Sequence, residues 1–285
     1  MRRLSILVVI IFLAGILMAG CGTDNSSIEK NVADANRSPN SNGTFKVGLE
    51  AGYAPFNWTQ MDDSNGAVKI DGSSEYAGGY DVEIAKRIAE GLGKELVIVK
   101  TKWEGLVPAL NSGKIDAIIA GMSPTAERME AIDFSNNYYK SDLVMVVKKG
   151  GAYENAKSIE DFKGAKVTGQ LNTFHYSVID QIEGVNKQPA LDSFPAMRVA
   201  LESGIIDGYV SERPEGVSAE ASNQNFKIIE FTKGFETSDD DTAIAIGLVK
   251  ASEIKDKINE ILLRISEDEQ KTIMDNAVNN QPAAN

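Results

Sequence analysis

The chain has 285 residues, a formal net charge of −12 at neutral pH, one cysteine and one histidine. That acidity repels nucleic-acid phosphates, Cys21 alone cannot form an internal disulfide, and His175 alone leaves histidine-based metal sites and Ser-His-Asp or Cys-His catalysis poorly supplied. The length suffices for one large domain or two modest ones, each with its own core.

The first twenty-one residues, MRRLSILVVIIFLAGILMAGC, run from two arginines through an apolar stretch to small residues. That is the order of a secretory signal peptide over residues 1–20. The segment Leu17-Met18-Ala19-Gly20-Cys21 resembles a bacterial lipobox, in which the cysteine is lipid-modified and becomes the new N-terminus. Such an anchor holds a protein at a membrane face without spanning it. Residues 22–43 are rich in Ser, Asn and Asp and nearly free of large apolar side chains, so Cys21 and residues 22–43 read as an anchor and a flexible tether.

From Thr44 onward strands and helices alternate. FKVGLE predicts a strand. A polar excursion between Trp58 and Gly79 carries two turn signals, Asn65-Gly66 and Asp71-Gly72. Its DDSNG stretch lacks the glycine and glutamate offsets of a calcium loop, and no metal site is expected there. Asp81 can cap a helix whose Ile84, Ala85, Ile88, Ala89 and Leu92 share a face. ELVIVK, KIDAIIAG, LVMVVKK, AKVTGQL, GIIDGYVSE, FKIIEF and TAIAIGLVK predict further strands. Helices are expected around Trp103–Gly113, Phe174–Ile182 and Phe194–Leu201, with two more closing the chain. Such alternation implies parallel pairing with helical crossovers.

One phrase occurs twice. ALNSGKIDAIIAG (109–121) and ALESGIIDGYVSE (200–212) each read as a helix end, a Ser-Gly stop, an apolar strand holding one Asp, and a polar loop. Two similar α/β lobes are the expected cause, facing each other across a cleft at the carboxyl ends of their strands. The first copy runs into GMSPTAER. Thr125 is a plausible helix cap there, and Arg128 falls in the first turn, where the positive end of the helix disfavours a cation unless an anion sits against it. A surface arginine paired with Glu127 or Glu130 is the plain alternative. The acidic run at Ser238–Asp241 reads as a solvated segment where the chain crosses back between lobes.

YAPFNW, GGYDVEIAKRIAE, WEGLVPALNSGKIDAIIAGMSPTAERMEAIDFSNNYY and GQLNTF, in this order and spacing, resemble the polar amino-acid solute-binding proteins of bacterial ABC importers. This group includes the glutamine-binding and lysine/arginine/ornithine-binding proteins, and the resemblance covers residues 44–279. It implies a type II periplasmic-binding-protein fold, with residues 44–140 and 238–279 as lobe one, 141–237 as lobe two, and hinge crossings near Tyr138–Asp142 and Thr237–Thr242. It also implies ligand contacts. Arg128 and Ser123 would hold the α-carboxylate, with Met122 beside them. Thr173 of lobe two, with Asn172 next to it, would assist them. The Gly121 carbonyl and Glu212 would take the α-ammonium, with Glu at 212 where many relatives have Asp. Tyr53 and Trp103 would wall the side chain and Glu50 would sit at its far end. Trp58 and Trp103 are both expected near the mouth of lobe one. The expected partners are a free amino acid, a permease with its ATPase, and a membrane surface reached through Cys21. The protein is expected to be monomeric, without cofactor or catalytic residue, on the outer face of the cell membrane. Two other readings stay open at this stage: a cleft enzyme of the same fold that dehydrates a cyclic acid, and a tethered sensor or adhesion module.

Overall fold

The computed structural model describes residues 43–282, so the leader, Cys21 and nearly all of the expected tether lie outside the described residues. Strand β1 (Thr44–Leu49) is followed by β2 (Gly52–Tyr53), β3 (Asn57–Gln60), β4 (Val68–Lys69) and β5 (Tyr76–Gly78). Helix α1 (Tyr80–Gly91) leads to β6 (Glu95–Lys100), α2 (Leu106–Asn111) to β7 (Ala117–Ile118), and α3 (Ala126–Ala131) to β8 (Asp133–Lys140). The chain then enters β9 (Leu143–Lys148), β10 (Lys166–Thr168), α4 (Phe174–Ser177), β11 (Asn186–Lys187), α5 (Phe194–Glu202), β12 (Gly208–Glu212), α6 (Arg213–Ser222) and β13 (Phe226–Ile229). It returns through the single-turn α7 (Asp239–Thr242) to β14 (Ala243–Leu248) and ends with α8 (Lys255–Leu262) and α9 (Glu267–Asn280).

Two five-stranded sheets have the same plan, β6-β1-β7-β14-β8 and β11-β10-β12-β9-β13. In each, two of the four pairings are parallel and two antiparallel, because one strand, β14 or β9, runs against the other four. The expectation of parallel pairing therefore holds for two pairings per lobe and fails around β14 and β9. The exceptions follow from the connections: β9 and β14 are each entered directly from the other lobe, with no helical crossover within their own sheet to turn them parallel. The polar excursion, with β2 just before it, forms a separate four-stranded sheet, β2-β3-β5-β4.

The repeated phrase is where the two plans coincide. Gly113 and Gly204 end their helices with φ of +72° and +75°, a conformation that favours glycine. Each following Asp then binds the neighbouring strand: Asp116 Oδ2 accepts from Lys46 N–H, and Asp207 Oδ2 from Lys166 N–H, both at 2.8 Å.

Helix α1 starts at Tyr80 after Gly79, not at a cap from Asp81. Asp81 lies inside the first turn, fully buried, where it accepts from Tyr138 Oη at 2.6 Å and Asn57 Nδ2 at 2.8 Å. The helix expected over 174–182 is one α-turn followed by a 3₁₀ turn at Val178–Gln181. Its β-branched Val178 and Ile179 point into the lobe-two core.

The two crossings lie side by side, with Ser141 N–H donating to the Thr242 carbonyl at 3.0 Å. Ser238 caps α7, and Asp239, exposed, pairs with Lys140 at 2.5 Å. So exposed a pair contributes little to stability. Apolar packing is less divided than the strands. One core cluster fills lobe one and continues into Phe194, Met197, Leu201 and Tyr209 of lobe two, while Met145, Phe162, Val167, Ile179 and Val210 form a second. Among the described residues no helix is long and apolar enough to cross a membrane.

Candidate functional site

The carboxyl ends of β7 and β12 meet between the lobes. Thr125 caps α3 and accepts from Arg128 N–H at 3.4 Å, as the spacing implied. The Arg128 guanidinium turns inward. Nη1 donates to the Ser123 carbonyl at 3.0 Å, Nη2 donates across the cleft to the Asn172 carbonyl at 3.1 Å, and Cζ sits 5.0 Å from the Trp103 ring centroid. Among the described residues no carboxylate lies within ion-pair distance of it, so the surface pairing with Glu127 or Glu130 is not made. Burial lowers its pKa to about 10, which leaves it charged at neutral pH. A half-buried cation with only carbonyl and ring partners is a ready site for an anion.

Glu212 is the counterpart on lobe two, at the position that pairs with Gly121 in the repeat. It is 2% exposed and accepts a hydrogen bond from the Tyr53 hydroxyl of lobe one. Burial pushes its pKa up to about 8, helped by the nearby Glu215 carboxylate. Nε2 of His175 is 2.9 Å from Glu212 Oε1, but the ring is not aligned to donate, and neither ring nitrogen has a hydrogen-bond partner. Burial, with the Arg128 charge adding to it, pulls His175 down to about 3, so the imidazole is neutral. Glu212 thus faces no cation, and a site for one is formed.

Glu50 is held to the pocket wall through Gln170. Burial raises its pKa to about 7, against a hydrogen bond from Gln170 Nε2 at 3.0 Å. Tyr53 stacks between Phe56 of its own lobe and Phe194 of lobe two, with centroids 4.9 and 4.3 Å away. A Cβ on Gly121 would stand 2.6 Å from Tyr53 Cε1, so that close approach requires glycine. Gly121 N–H is held by the Tyr138 hydroxyl at 3.2 Å.

The structure therefore brings Tyr53, Trp103, Gly121, Ser123, Arg128 and Thr173 to one pocket. Glu50, Asn172 and Glu212 are hydrogen-bonded to its walls. Met122 is placed otherwise. Its side chain is in the lobe-one core and its carbonyl accepts from Ala245 N–H at 3.0 Å, because that residue anchors the loop to β14. Trp58 also lies away from the mouth, buried in a groove beside α1 and α9, with Nε1 on Gln60 Oε1 at 2.8 Å. Gln170, Phe174, His175 and Phe194 line the cleft without having been singled out in the sequence. The first three lie within or beside GQLNTF, so proximity to that motif was the available signal. Phe194 carries none beyond opening a helix.

The pocket holds only about 10 Å³, about one water molecule, because the lobes are shut on each other. Roomier hollows of about 540 and 620 Å³ lie on the outer surface. Their arginines already have carboxylate partners, Arg87 on Glu269 and Arg213 on Glu230, unlike the charges that converge at the cleft. A small molecule carrying both charges fits the cleft chemistry, and the lobes must part to admit it.

Residues 45–278 match the bacterial extracellular solute-binding proteins, family 3. A probable histidine-binding protein of Campylobacter jejuni is 33% identical over 214 residues, 72% of this chain and 75% of that one. The L-cystine-binding protein TcyJ of Escherichia coli is 34% identical over 172 residues, 60% of this chain and 59% of that one. The structure of an amino-acid ABC transporter substrate-binding protein, AbpA of Streptococcus pneumoniae, bound to L-arginine, superposes with a TM-score of 0.71 at 26% identity, covering 83% of this chain and 94% of that one. The two-lobed α/β architecture and the repeated strand-to-loop units have their explanation in this kinship: the chain belongs to the bacterial extracellular solute-binding proteins, family 3.

Proposed function

We propose that the protein is the extracytoplasmic receptor of an amino-acid ABC importer, closing on one free amino acid and presenting it to a membrane permease and its ATPase. The observation that carries this reading is the pair of ionisable groups of opposite kind at one cleft, the half-buried Arg128 guanidinium from the first lobe and the buried Glu212 carboxyl from the second, neither with a charged partner. An amino-acid zwitterion supplies both counter-charges at a fixed separation. In this reading Arg128, Ser123 and Thr173 hold the carboxylate, while Glu212 and the Gly121 carbonyl take the ammonium. Tyr53 and Trp103 flank the side chain and Glu50 meets its far end.

A half-buried acid at position 50 disfavours an acidic ligand and suits a basic one such as lysine or arginine, or a hydrogen-bond donor such as glutamine. The names of the relatives span a similar range: histidine, cystine and arginine. The cleft is read as a binding site and not a catalytic one, and the receptor as a monomer. The lipobox-like segment ending at Cys21 supports anchoring on the outer face of the cell membrane, in the manner of a Gram-positive surface lipoprotein. A thermal-shift screen of the twenty amino acids plus ornithine and cystine tests the ligand. One present at 100 times its Kd stabilises by about 2.7 kcal/mol, and basic or amide side chains are expected to give the largest shifts. No shift with any of them overturns the reading.

A further inference from the structure

Glu212 has a positioning problem. Its side chain is one methylene longer than an aspartate, so it has more conformers to restrict. Its one side-chain hydrogen bond is from Tyr53, a lobe-one hydroxyl that occupies the place an incoming ammonium needs. Once that hydroxyl yields, the buried carboxylate is left without a fixed donor, a costly condition in a low-dielectric site.

His175 stands where such a donor is required. It reaches the cleft from α4, 5% exposed, its ring against Phe174 at 4.3 Å and its edge toward Phe194 at 6.1 Å between centroids. Both ring nitrogens lack partners, an arrangement that buried polar groups rarely keep. Nε2 is already 2.9 Å from Glu212 Oε1, and only direction is missing.

We propose that His175 is the positioning residue for Glu212, donating its Nε2 proton to the carboxylate when a ligand ammonium displaces the Tyr53 hydroxyl. This rests on the reading of Glu212 as the ammonium acceptor. A neutral donor suits this role, since a lysine or arginine here would neutralise Glu212 and repel the ligand. The other titratable groups facing the pair are Tyr53 from β2, Arg128 from α3 and Glu215 from α6. Arg128 favours a neutral imidazole, and Glu215 disfavours ionisation of Glu212.

The test compares the full chain with His175→Phe, which keeps the ring volume, and His175→Gln, which keeps an N–H donor. L-arginine is the probe, with L-glutamine used if arginine gives no thermal shift. His175→Phe is expected to weaken binding on the order of 10- to 100-fold at neutral pH, the range for a hydrogen bond to a charged group. The fold-loss should be similar from about pH 6 to about 9, since the hydrogen bond is made only in the ligand-bound state and the ionisation of ligand-free Glu212 is common to both proteins. His175→Gln should recover most of the affinity. Because His175 is the chain's one histidine, ¹⁵N imidazole resonances report on it directly, and ligand should produce a hydrogen-bonded Nε2–H. Wild-type affinity in His175→Phe, a His175→Gln variant as weak as His175→Phe, or no hydrogen-bonded Nε2–H resonance with ligand overturns the proposal. A wild-type chain that binds no amino acid instead overturns the functional reading beneath it.

Discussion

Asp116 and Asp207 make the same hydrogen bond in opposite lobes. Each carboxylate accepts from the backbone N–H of a lysine on the adjacent parallel strand, Lys46 or Lys166, at 2.8 Å. The N–H of each aspartate donates back to that lysine's carbonyl, again at 2.8 Å. The acid in the repeated phrase is therefore a strand clamp, placed at the end of β7 or β12 remote from the cleft. Asp116→Ala and Asp207→Ala should each cost about 1 kcal/mol of stability, read by urea unfolding, and leave ligand affinity unchanged. Weakened binding without lost stability would make the acid part of the site.

Much of this architecture was legible because repetition is visible without coordinates. The Ser-Gly stop, the apolar strand and the polar loop recur, and the sheets recur with them. Arg128 was legible too, since a cation in the first turn of a helix needs a reason. His175, Gln170 and Phe194 were not, because their role depends on which lobe-two surface meets lobe one, and no local periodicity encodes a contact across a hinge. The same applies to the antiparallel strands β9 and β14, whose direction is set by the crossings. Met122 sits in a motif whose neighbours face the cleft, while its own side chain packs into the core.

Arg128→Ala should cost about 2–5 kcal/mol of binding, the range for truncating one partner of a buried charge pair. Its guanidinium bonds only two backbone carbonyls and a ring face, so the fold should survive. Calorimetry with L-arginine and L-glutamine measures the first effect and a melting curve the second. Unchanged affinity would remove Arg128 from the site.

Burial raises Glu212 to about 8 and Glu50 to about 7 from an unfolded value of 4.5. Between those values the folded chain holds protons that the unfolded chain has released, so stability falls as pH rises through this window. His175 acts oppositely. Burial pulls it from 6.5 to about 3, so it adds stability as pH rises across that lower range. Above about pH 6.5 the acids act alone. The ligand-free protein should lose on the order of 1 kcal/mol per pH unit through Glu212 up to about pH 8, with Glu50 adding a similar slope only up to about pH 7. A ligand ammonium favours the Glu212 carboxylate, so the ligand-induced rise in Tm should widen over the same interval. Melting curves with and without ligand check both trends, and a ligand-free Tm that climbs from pH 6.5 to 8 would contradict the assigned directions.

Cys21→Ser tests the proposed anchor. Cell fractionation should find the variant released, or retained as an uncleaved precursor, because lipid on Cys21 is the proposed hold on the membrane. A cleaved, lipid-free mature protein still in the membrane fraction would defeat the lipobox reading.

Tyr53 and Glu212 belong to opposite lobes, and their hydrogen bond closes a cleft that has room for about 10 Å³. Arg128 and the Asn172 carbonyl form a second bridge across it. A ligand must replace both, and only differential contact between open and shut states drives such a shift. Tyr53→Phe keeps the ring that stacks on Phe194 and removes the hydroxyl. In ligand-free protein it should move the population toward the open state, seen as a larger radius of gyration in small-angle scattering. It should also change Trp103 emission, since the Trp103 indole N–H points at the Asn172 carbonyl 3.4 Å away. Ligand affinity should hold or improve, because the hydroxyl competes with the ammonium for Glu212, and saturating ligand should restore the wild-type radius. A variant that loses affinity while scattering stays unchanged would mean the hydroxyl touches the ligand itself, and the bridge from Tyr53 to Glu212 would no longer account for closure.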